Sequence, residues 1–212
     1  MINVAYCTDE NYAIPTMVSI VSLVENMNLK SLCAHRGGVT IYVLTDYISN
    51  ENRSRFERLE ATLKVNIEIV EISKKNKFHG LKTVERYFPS SMYYRFLLPE
   101  ILCNEDRVLY LDCDTMIRKD ISALYHTELT GLACGAVVDQ NCDSVSIQNR
   151  LRKEKNFEYY NSGVLLMNLE YWRENRITSN LIDLVREYSD DLIFPDQDVL
   201  NTLLNDKIFR LD

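Results

Sequence analysis

The sequence predicts an α/β fold in which helices cross between the strands of a sheet. Short strand-like runs alternate with longer helical patterns along the 212 residues, and this alternation is typical of crossover connections. Hydrophobic residues make up 46% of the chain and charged residues 26%, which is ordinary globular usage and enough for a sizeable core. With no internal repeat, low-complexity tract or linker in view, we expect one domain.

The first half of the chain contains three predicted strands and three predicted helices. The strands cover 2–7, 40–44 and 65–72, and the last of them alternates apolar residues with glutamates, as a half-exposed strand does. The first helix covers 12–27 and is apolar on most of its surface. Ser49 can cap the second, whose stripe is Phe56, Leu59 and Leu63, and Ser90 can cap a third that ends at Pro99.

The second half repeats the alternation. Strands are predicted at 107–111, 132–138, 162–169 and 207–211, the third after a sharp turn at Asn161-Ser162-Gly163. Asp120 can cap a short helix, and two further helices are predicted around 179–187 and 196–204. The polar stretch 144–155 has the composition of a loose helix or a lid.

Charge argues against nucleic acid as a partner. Lys and Arg number 24 against 31 Asp and Glu, which gives a net charge of −7. An acidic chain lacks the broad basic footprint that a phosphate backbone requires. If such a chain binds an anionic nucleotide, it needs a local device such as a metal ion.

Cysteine usage and hydropathy favour a cytoplasmic protein. The six cysteines form no CxxC pair and have no histidine at zinc-finger spacing, so we expect reduced thiols and no structural zinc. The N-terminus shows no signal-peptide pattern. The longest apolar stretch, 17–24, is interrupted by two serines and is far shorter than the roughly 20 residues of a membrane span.

The clearest chemical signal is Asp112-Cys113-Asp114, directly after the strand at 107–111. Ligands of open α/β sheets bind beyond the carboxyl ends of strands. In an extended segment, residues two apart point to the same side, and two such carboxylates repel unless protonated or metal-bound. Mg²⁺ and Mn²⁺ prefer oxygen ligands, so we predict a metal site, against the alternative of two solvated acids in a turn.

A second polar corner follows the first strand, at residues 7–12. Asp9 and Asn11 can bind the polar edge of a ligand, and Tyr12 can stack on a ring. The alternative is helix capping by Thr8, Asp9 or Asn11, and it is the better interpretation of this segment taken alone.

Three further features allow either a ligand or a structural role. Arg95 stands alone in an apolar segment and needs an acidic partner or a phosphate. Asn161 can hydrogen-bond sugar hydroxyls or serve a tight turn. Asp196-Gln197-Asp198 opens a helix, where acidic residues also complement the helix dipole.

Taken together, these segments resemble the family 8 retaining glycosyltransferases, relatives of bacterial lipopolysaccharide galactosyl- and glucosyltransferases and of glycogenin. Each block is weak alone, but four blocks in register across nearly the whole chain are specific. They are NVAYCTDENYA at 3–13, RVLYLDCD at 107–114, YNSGVLLMN at 160–168 and DQDVLN at 196–201.

The resemblance implies a GT-A fold, a Rossmann-like mixed and mostly parallel sheet flanked by helices, with a UDP-sugar donor and Mn²⁺ or Mg²⁺. By position it implies that the uridine is held by Thr8, Asp9, Asn11 and Tyr12. Asp112 and Asp114 would ligate the metal, with Asp112 also near the ribose and Cys113 beside the substrate. The donor sugar and acceptor would be lined by Arg95, Asp139, Asn161, Asp196 and Gln197.

One family feature has no match here. The resemblance implies a third metal ligand, a His in a His-x-x-Gly-x-x-Lys segment, whereas the histidines are His35, His79 and His126. We therefore expect residues 1–212 to form a single GT-A domain that lacks the family's C-terminal segment.

The predicted function is transfer of galactose or glucose from a UDP-sugar to a glycan or lipid-linked acceptor, as in lipopolysaccharide biosynthesis. Such an acceptor suggests a cytoplasmic protein associated with the inner face of the membrane, although no basic amphipathic segment supports an anchor. The alternatives are a non-catalytic sugar-nucleotide or glycan-binding protein and a haloacid-dehalogenase-like phosphatase. The phosphatase pattern has Thr or Val two residues after its second aspartate, where this chain has Met116.

Overall fold

The computed structural model describes residues 1–28, 38–72, 90–140, 151, 157–188 and 192–212. Most of the predicted loose helix at 144–155 lies outside these residues, as do Cys33, Cys142, His35 and His79. The chain forms two compact units. The first comprises Met1–Asn76 and Val108–Glu128, and the second comprises Lys77–Arg107 and Leu129–Asp212.

Strands and helices alternate as predicted. In chain order the elements are β1 (Ile2–Cys7), α1 (Ala13–Asn26), β2 (Val39–Thr45), α2 (Asn50–Leu63), β3 (Asn66–Glu71), a 3₁₀ helix (Ser90–Leu97), α3 (Leu98–Ile101), β4 (Arg107–Leu111), α4 (Ser122–Tyr125), β5 (Cys134–Val138), β6 (Tyr160–Asn168), α5 (Leu169–Glu174), α6 (Ile177–Glu187), α7 (Pro195–Leu204), a 3₁₀ turn (Asn205–Lys207) and β7 (Ile208–Leu211).

The sheet of the first unit is parallel, with the strand order β3-β2-β1-β4. Ala5 in β1 lies beside Tyr42 in β2 on one side and Tyr110 in β4 on the other. Every residue of β1 and β2 is buried, as expected for central parallel strands. Because all four strands run the same way, their carboxyl ends lie at one edge of the sheet.

The helices of the first unit partly differ from the prediction. Ser49 caps α2 as predicted, since its side chain accepts a hydrogen bond from the backbone of Asn52 at 3.2 Å. Helix α1 buries a face of small and mixed residues, namely Ala13, Thr16, Ser19, Ile20 and Leu23. Ile14 and Val18, two of the residues that make the helix apolar on most of its surface, are 46% and 50% exposed. The apolar pattern of α1 therefore does not mark its buried face.

The second unit contains a mixed sheet with the order β6-β5-β7. Strand β5 is antiparallel to β6 and parallel to β7, with an irregularity between Ala136 and Val138. The core of this unit includes Trp172, Tyr93 and Phe96, all at most 1% exposed, with Phe96 in ring contact with the other two. Within the two units, every described pairing except that of β5 with β6 is parallel, so the predicted mostly parallel α/β sheet is confirmed.

Two boundary predictions in the second unit were wrong. Pro99 does not end a helix; it stands in the first turn of α3, after a 3₁₀ helix that occupies Ser90–Leu97. Proline fits a first turn because its missing N–H would have no partner there. Asn161-Ser162-Gly163 is not an entry turn, since β6 begins at Tyr160 and contains all three residues.

Sequence reasoning missed helix α5. Its signal is Asn168, the last residue of β6, whose side chain accepts a hydrogen bond from the backbone of Tyr171 at 3.1 Å and so caps the helix. Across the described residues, no helix combines the length and the apolar composition needed to cross a membrane.

Candidate active site

The corner after β1 is a turn that leads into α1. The backbone N–H of Thr8 donates to Leu44 at 2.9 Å and prolongs the pairing of β1 with β2. Oδ1 of Asp9 then accepts hydrogen bonds from the backbone N–H groups of Asn11 at 2.8 Å and Tyr12 at 2.9 Å. Asp9 thus orders the turn just before α1, which has no side-chain cap of its own, while the side chains of Asn11 and Tyr12 are exposed to solvent.

Glu10 ties this turn to the next helix, a role that sequence reasoning missed. One carboxylate oxygen of Glu10 accepts from the backbone N–H of Ser49 at 2.8 Å, and the other accepts from the side-chain amide of Asn52 at 2.9 Å. The hydrogen bonds from Ser49 are the main reason that the pKa of Glu10 is lowered. The capping serine at 49 was visible in the sequence, but its partner 39 residues earlier was not.

The second predicted corner adjoins the first. Strand β4 pairs with β1 through Val4 with Leu109 and Ala5 with Tyr110, so the two strands end side by side. Strands β2 and β3 lie on one side of β1 and β4 on the other. The order of the sheet therefore reverses between β1 and β4, and such a switch point is where open α/β sheets bind ligands.

Asp112 and Asp114 lie on a turn, which corrects the expectation of an extended segment. Both the backbone N–H and the hydroxyl of Thr115 donate to the carbonyl of Asp112, at 3.2 and 2.8 Å. Oδ1 of Asp112 accepts from the hydroxyl of Tyr110 at 2.6 Å. Asp112 is half-buried and Asp114 is exposed. Because both residues follow the strand, the alternation of side chains along a strand does not determine where their carboxylates point.

Negative charge is concentrated at this edge of the sheet. The pKa of the Cys113 thiol is raised to about 12, first by burial and then by the charges of Asp112, Asp114 and Asp9. The carboxylate of the first corner therefore lies near enough to the second corner to act on the same thiol.

The side chains at this edge of the sheet show which metal ion they could suit. Within the described residues, no group of three or more His, Cys, Asp or Glu side chains could hold a metal ion. Two carboxylates nevertheless suit Mg²⁺ or Mn²⁺, because small hard cations are commonly held by one or two carboxylates, with water and phosphate oxygens as the other ligands. Asp112 and Asp114 offer the two carboxylate donors that a cation of that kind uses.

The second unit contains a buried polar network built around β6 and the start of α7. Arg95 and Asp196 are 5% and 7% exposed, and Nη1 of Arg95 lies 3.3 Å from Oδ2 of Asp196. The same oxygen accepts from the hydroxyl of Ser162 at 2.9 Å. Arg95 also donates to the carbonyls of Met92 and Ser162. Of the two partners considered for Arg95, an acidic side chain or a phosphate, the structure shows the acidic side chain, Asp196.

Gln197 extends this network to Asp139. Its side-chain oxygen accepts from the backbone N–H of Ser162 at 2.9 Å, and its amide nitrogen donates to Oδ2 of Asp139 at 3.0 Å. Gln197 is buried and Asp139 is half-buried. Four predicted residues therefore belong to one network. Ser162, which sequence reasoning did not single out, contacts Arg95, Asp196 and Gln197, and Gln197 connects Asp139.

Two further buried residues of α7 hold it against the start of β6. Asp198 accepts from the hydroxyl of Tyr159 at 2.6 Å and, with its other oxygen, from the backbone N–H groups of Ile193 and Phe194. Asn201 exchanges two hydrogen bonds of 2.7 Å with the backbone of Tyr160. Their spacing of three residues along a helix was the available signal, but it did not identify their partners.

Asn161 is placed differently from its predicted neighbours. Its side chain is exposed, and its oxygen accepts from the backbone N–H of Gly163 at 2.8 Å. Among the described residues, Asn161 makes no hydrogen bond to the network of Ser162. The predicted site residues therefore fall into a first-unit group at the carboxyl ends of β1 and β4 and a second-unit group around Ser162.

The fold and the first-unit group define an α/β protein with polar residues beyond the carboxyl ends of the parallel strands β1 and β4, where ligand-binding proteins of this class have their sites. The sequence model of glycosyl transferase family 8 matches residues 3–212, and the chain belongs to that family. The predicted family is confirmed, and with it the class of enzyme, a glycosyltransferase.

Individual relatives extend this assignment. General stress protein A of Bacillus subtilis (strain 168) is 29% identical over 219 residues, covering 100% of this chain and 72% of that protein. Lipopolysaccharide 1,2-glucosyltransferase of Escherichia coli (strain K12) is 29% identical over 205 residues, covering 96% of this chain and 58% of that enzyme. The chain thus spans less than two thirds of the length of the second relative.

A solved structure confirms the GT-A fold. The crystal structure of galactosyltransferase LgtC in complex with donor and acceptor sugar analogs matches with a TM-score of 0.84 and 26% identity. The match covers 100% of this chain and 73% of LgtC.

Proposed function

We propose that this chain is a metal-dependent retaining glycosyltransferase that moves galactose or glucose from a UDP-sugar to a glycan or lipid-linked acceptor. One observation carries the proposal: the Asp9 turn and the Asp112 turn adjoin at the switch point between β1 and β4. That position suits a nucleotide whose base and phosphates need different partners. The relatives named above support a sugar donor and a bacterial surface glycan as acceptor.

In this proposal the first corner binds the uridine. Both described hydrogen bonds of the Asp9 carboxylate fall on Oδ1, which leaves Oδ2 to accept an N–H from a base. The exposed ring of Tyr12 and amide of Asn11 offer stacking and hydrogen bonding. Thr8 is buried and lies 2.8 Å from the hydroxyl of Thr16, so its part is to hold the turn.

The second corner binds the diphosphate through Mn²⁺ or Mg²⁺ held by Asp112 and Asp114. When bound, the cation supplies Lewis-acid stabilisation of the charge on the departing UDP. The hydroxyl of Tyr110 fixes the Asp112 carboxylate in one orientation, which is how neighbouring groups prepare metal ligands.

The second-unit residues serve the sugar and the acceptor. As the bond to UDP breaks, the sugar gains positive charge, and a fixed carboxylate stabilises it electrostatically. Asp196 is such a carboxylate, held by Arg95 and Ser162. We assign Asp139 and Gln197 to the same region and Asn161 to the sugar hydroxyls.

Retention of configuration is proposed to occur by attack of the acceptor on the face from which UDP departs. The competing route is a covalent sugar ester on Asp139 or Asp196. Oδ2 of Asp196 already faces two donors, Arg95 and Ser162, and such contacts lower the nucleophilicity of a carboxylate. Mass spectrometry that found a sugar attached to either aspartate would overturn the same-face route.

The central test is binding and turnover. Calorimetry with UDP and Mn²⁺, followed by UDP release from UDP-glucose and UDP-galactose, should show metal-dependent binding and donor-dependent turnover. Asp112→Asn and Asp114→Asn should each abolish the dependence on Mn²⁺. Asp183→Asn, on the exposed surface of α6, is the matched control and should leave both measurements unchanged.

The outcomes separate the candidate functions. Metal-dependent binding of UDP without turnover of any donor would favour the non-catalytic sugar-nucleotide-binding alternative. Hydrolysis of an aryl phosphate that Asp112→Asn abolishes would favour the phosphatase, which the family match disfavours. Absence of UDP binding with and without Mn²⁺ would contradict the proposal.

We also propose a cytoplasmic location, with association at the inner face of the membrane where lipid-linked acceptors are found. The described cysteines, Cys7, Cys103, Cys113 and Cys134, are not in disulfides, which suits a reducing compartment. Fractionation of cells that produce the protein tests this location. Recovery of the protein beyond the cytoplasmic membrane, in neither the cytosolic nor the membrane fraction, would contradict it.

A further inference from the structure

Ser162 contacts three of the proposed site residues, each through a different polar group. Its backbone N–H donates to Gln197 at 2.9 Å, its hydroxyl donates to Asp196 at 2.9 Å, and its carbonyl accepts from Arg95 at 2.6 Å. The side chain is 6% exposed, so water does not compete for these contacts. One residue of β6 therefore sets the positions of three side chains from two other segments.

The contacts of Gln197 fix the orientation of its side-chain amide. A backbone N–H can only donate, so the atom of Gln197 that faces Ser162 is the oxygen. An ionised carboxylate can only accept, so the atom that faces Asp139 is the nitrogen. Both partners require the same orientation, and a flipped amide would place two donors together at Ser162 and two acceptors together at Asp139.

The contacts of Asp196 are fixed in a similar way. Its Oδ2 lies within 3.3 Å of the Arg95 guanidinium and 2.9 Å of the Ser162 hydroxyl. Because Ser162 also accepts from Arg95 through its carbonyl, the three residues form a closed ring of contacts. A change in the rotamer of Asp196 would break two of these contacts at once.

We propose that Ser162 is a positioning residue of the transfer reaction, which turns the amide N–H of Gln197 and the carboxylate of Asp196 into one fixed arrangement. This inference rests on the proposed function. Gln197 then acts toward the bound sugar as a hydrogen-bond donor through its second amide hydrogen, and its oxygen remains engaged with the backbone. Ser162 itself acts through these two side chains and touches no substrate.

The hydroxyl is tested with Ser162→Ala and Ser162→Thr. The alanine variant keeps both backbone contacts and loses the bond to Asp196, so kcat should fall about 10-fold while KM for the UDP-sugar changes less than about 2-fold. Threonine keeps a hydroxyl and should recover most of kcat. Loss of thermal stability in both variants with kcat unchanged would show a merely structural role and overturn the proposal.

The orientation of the amide is tested by thermal stability, which does not depend on turnover. Gln197→Glu places a second carboxylate against Asp139, and the melting temperature should fall by about 5 °C. Adding Asp139→Asn restores a donor opposite Glu and should recover most of that fall, whereas Asp139→Asn alone should have little effect. A double variant no more stable than Gln197→Glu alone would overturn the assigned orientation.

The two arms distinguish failure of this inference from failure of the proposed function. A wild-type protein that turned over no UDP-sugar would overturn the proposed transfer reaction and, with it, the positioning role of Ser162. The melting temperatures would still decide the orientation of Gln197 in that case. Turnover by the wild type with equal kcat in Ser162→Ala would overturn only the positioning role.

Discussion

The hydroxyl of Tyr110 donates a hydrogen bond to Oδ1 of Asp112 at 2.6 Å. Tyr110 is the last residue but one of β4. Tyr110 is 1% exposed, so its ring is fixed by packing and its hydroxyl can hold the carboxylate in one place. A buried strand residue thereby prepares a side chain at the solvent edge of the sheet.

Tyr110→Phe should weaken binding of Mn²⁺ in the presence of UDP by about 10-fold, the usual effect of losing a group that orients a metal ligand. Calorimetric titration of Mn²⁺ into the UDP-saturated protein measures it. Tyr6→Phe is the matched control, because it removes a buried hydroxyl of the neighbouring strand that contacts Ser19. Equal affinities in wild type and Tyr110→Phe would show that Asp112 does not depend on this bond.

Glu10→Gln should reduce the loss of folding stability that occurs when the pH is lowered. The pKa of Glu10 is lowered from 4.5 in the folded protein, so the ionised carboxylate stabilises the fold above the ordinary carboxylate range. That stabilisation is lost as pH falls through the lower, folded pKa. Glutamine cannot ionise, so the variant lacks this component at every pH.

Melting temperatures between pH 7 and pH 3 measure the effect of Glu10→Gln. The difference between wild type and variant should be largest near neutrality and shrink toward pH 3. Glu57→Gln, an exposed change on α2, is the control and should run parallel to wild type. A constant difference across the range would mean that the bonds to Ser49 and Asn52 do not depend on charge.

The elements that sequence reasoning placed best are buried strands. The bounds of β1 and β4 follow from mostly apolar runs that end at polar residues, with Asn3 as the one polar residue inside β1 and Arg107 at the start of β4. Parallel pairing with both faces covered favours such runs. Helix α1 shows the limit of this reasoning. Its sequence is apolar around most of the helix and so does not identify the buried face, which includes Thr16 and Ser19 because both find hydrogen-bond partners within the unit.

The composition of the site was predictable, but its connections were not. Asp112 and Asp9 stood out because each follows a strand. The network in the second unit joins Arg95, Asp139, Ser162 and the start of α7. The two partners of each of its hydrogen bonds lie 34 to 67 positions apart along the chain. Local patterns contain no information on such distant pairings, so the central residue, Ser162, was mistaken for part of a turn.

Arg95→Met should lower the free energy of unfolding by about 3 kcal/mol, because it leaves Asp196 buried without its cation. The double variant Arg95→Met with Asp196→Asn should recover part of this loss, since no unpaired charge remains. Urea denaturation measures both. Arg186→Met, which breaks an exposed ion pair with Asp183, is the control and should cost less than about 1 kcal/mol.

A loss below about 1 kcal/mol in Arg95→Met would contradict the buried ion pair. Such a result would mean that the hydrogen bond from Ser162 alone stabilises Asp196.

Substitutions on the two faces of α1 should differ sharply in their effect on stability. Leu23 is fully buried and Ile14 is 46% exposed. Leu23→Ala should lower the free energy of unfolding by about 3 kcal/mol through lost burial and a residual cavity, whereas Ile14→Ser should change it by less than about 0.5 kcal/mol. Urea denaturation of both variants measures the contrast, and a loss above about 2 kcal/mol in Ile14→Ser would show that another surface covers this face of the helix in solution.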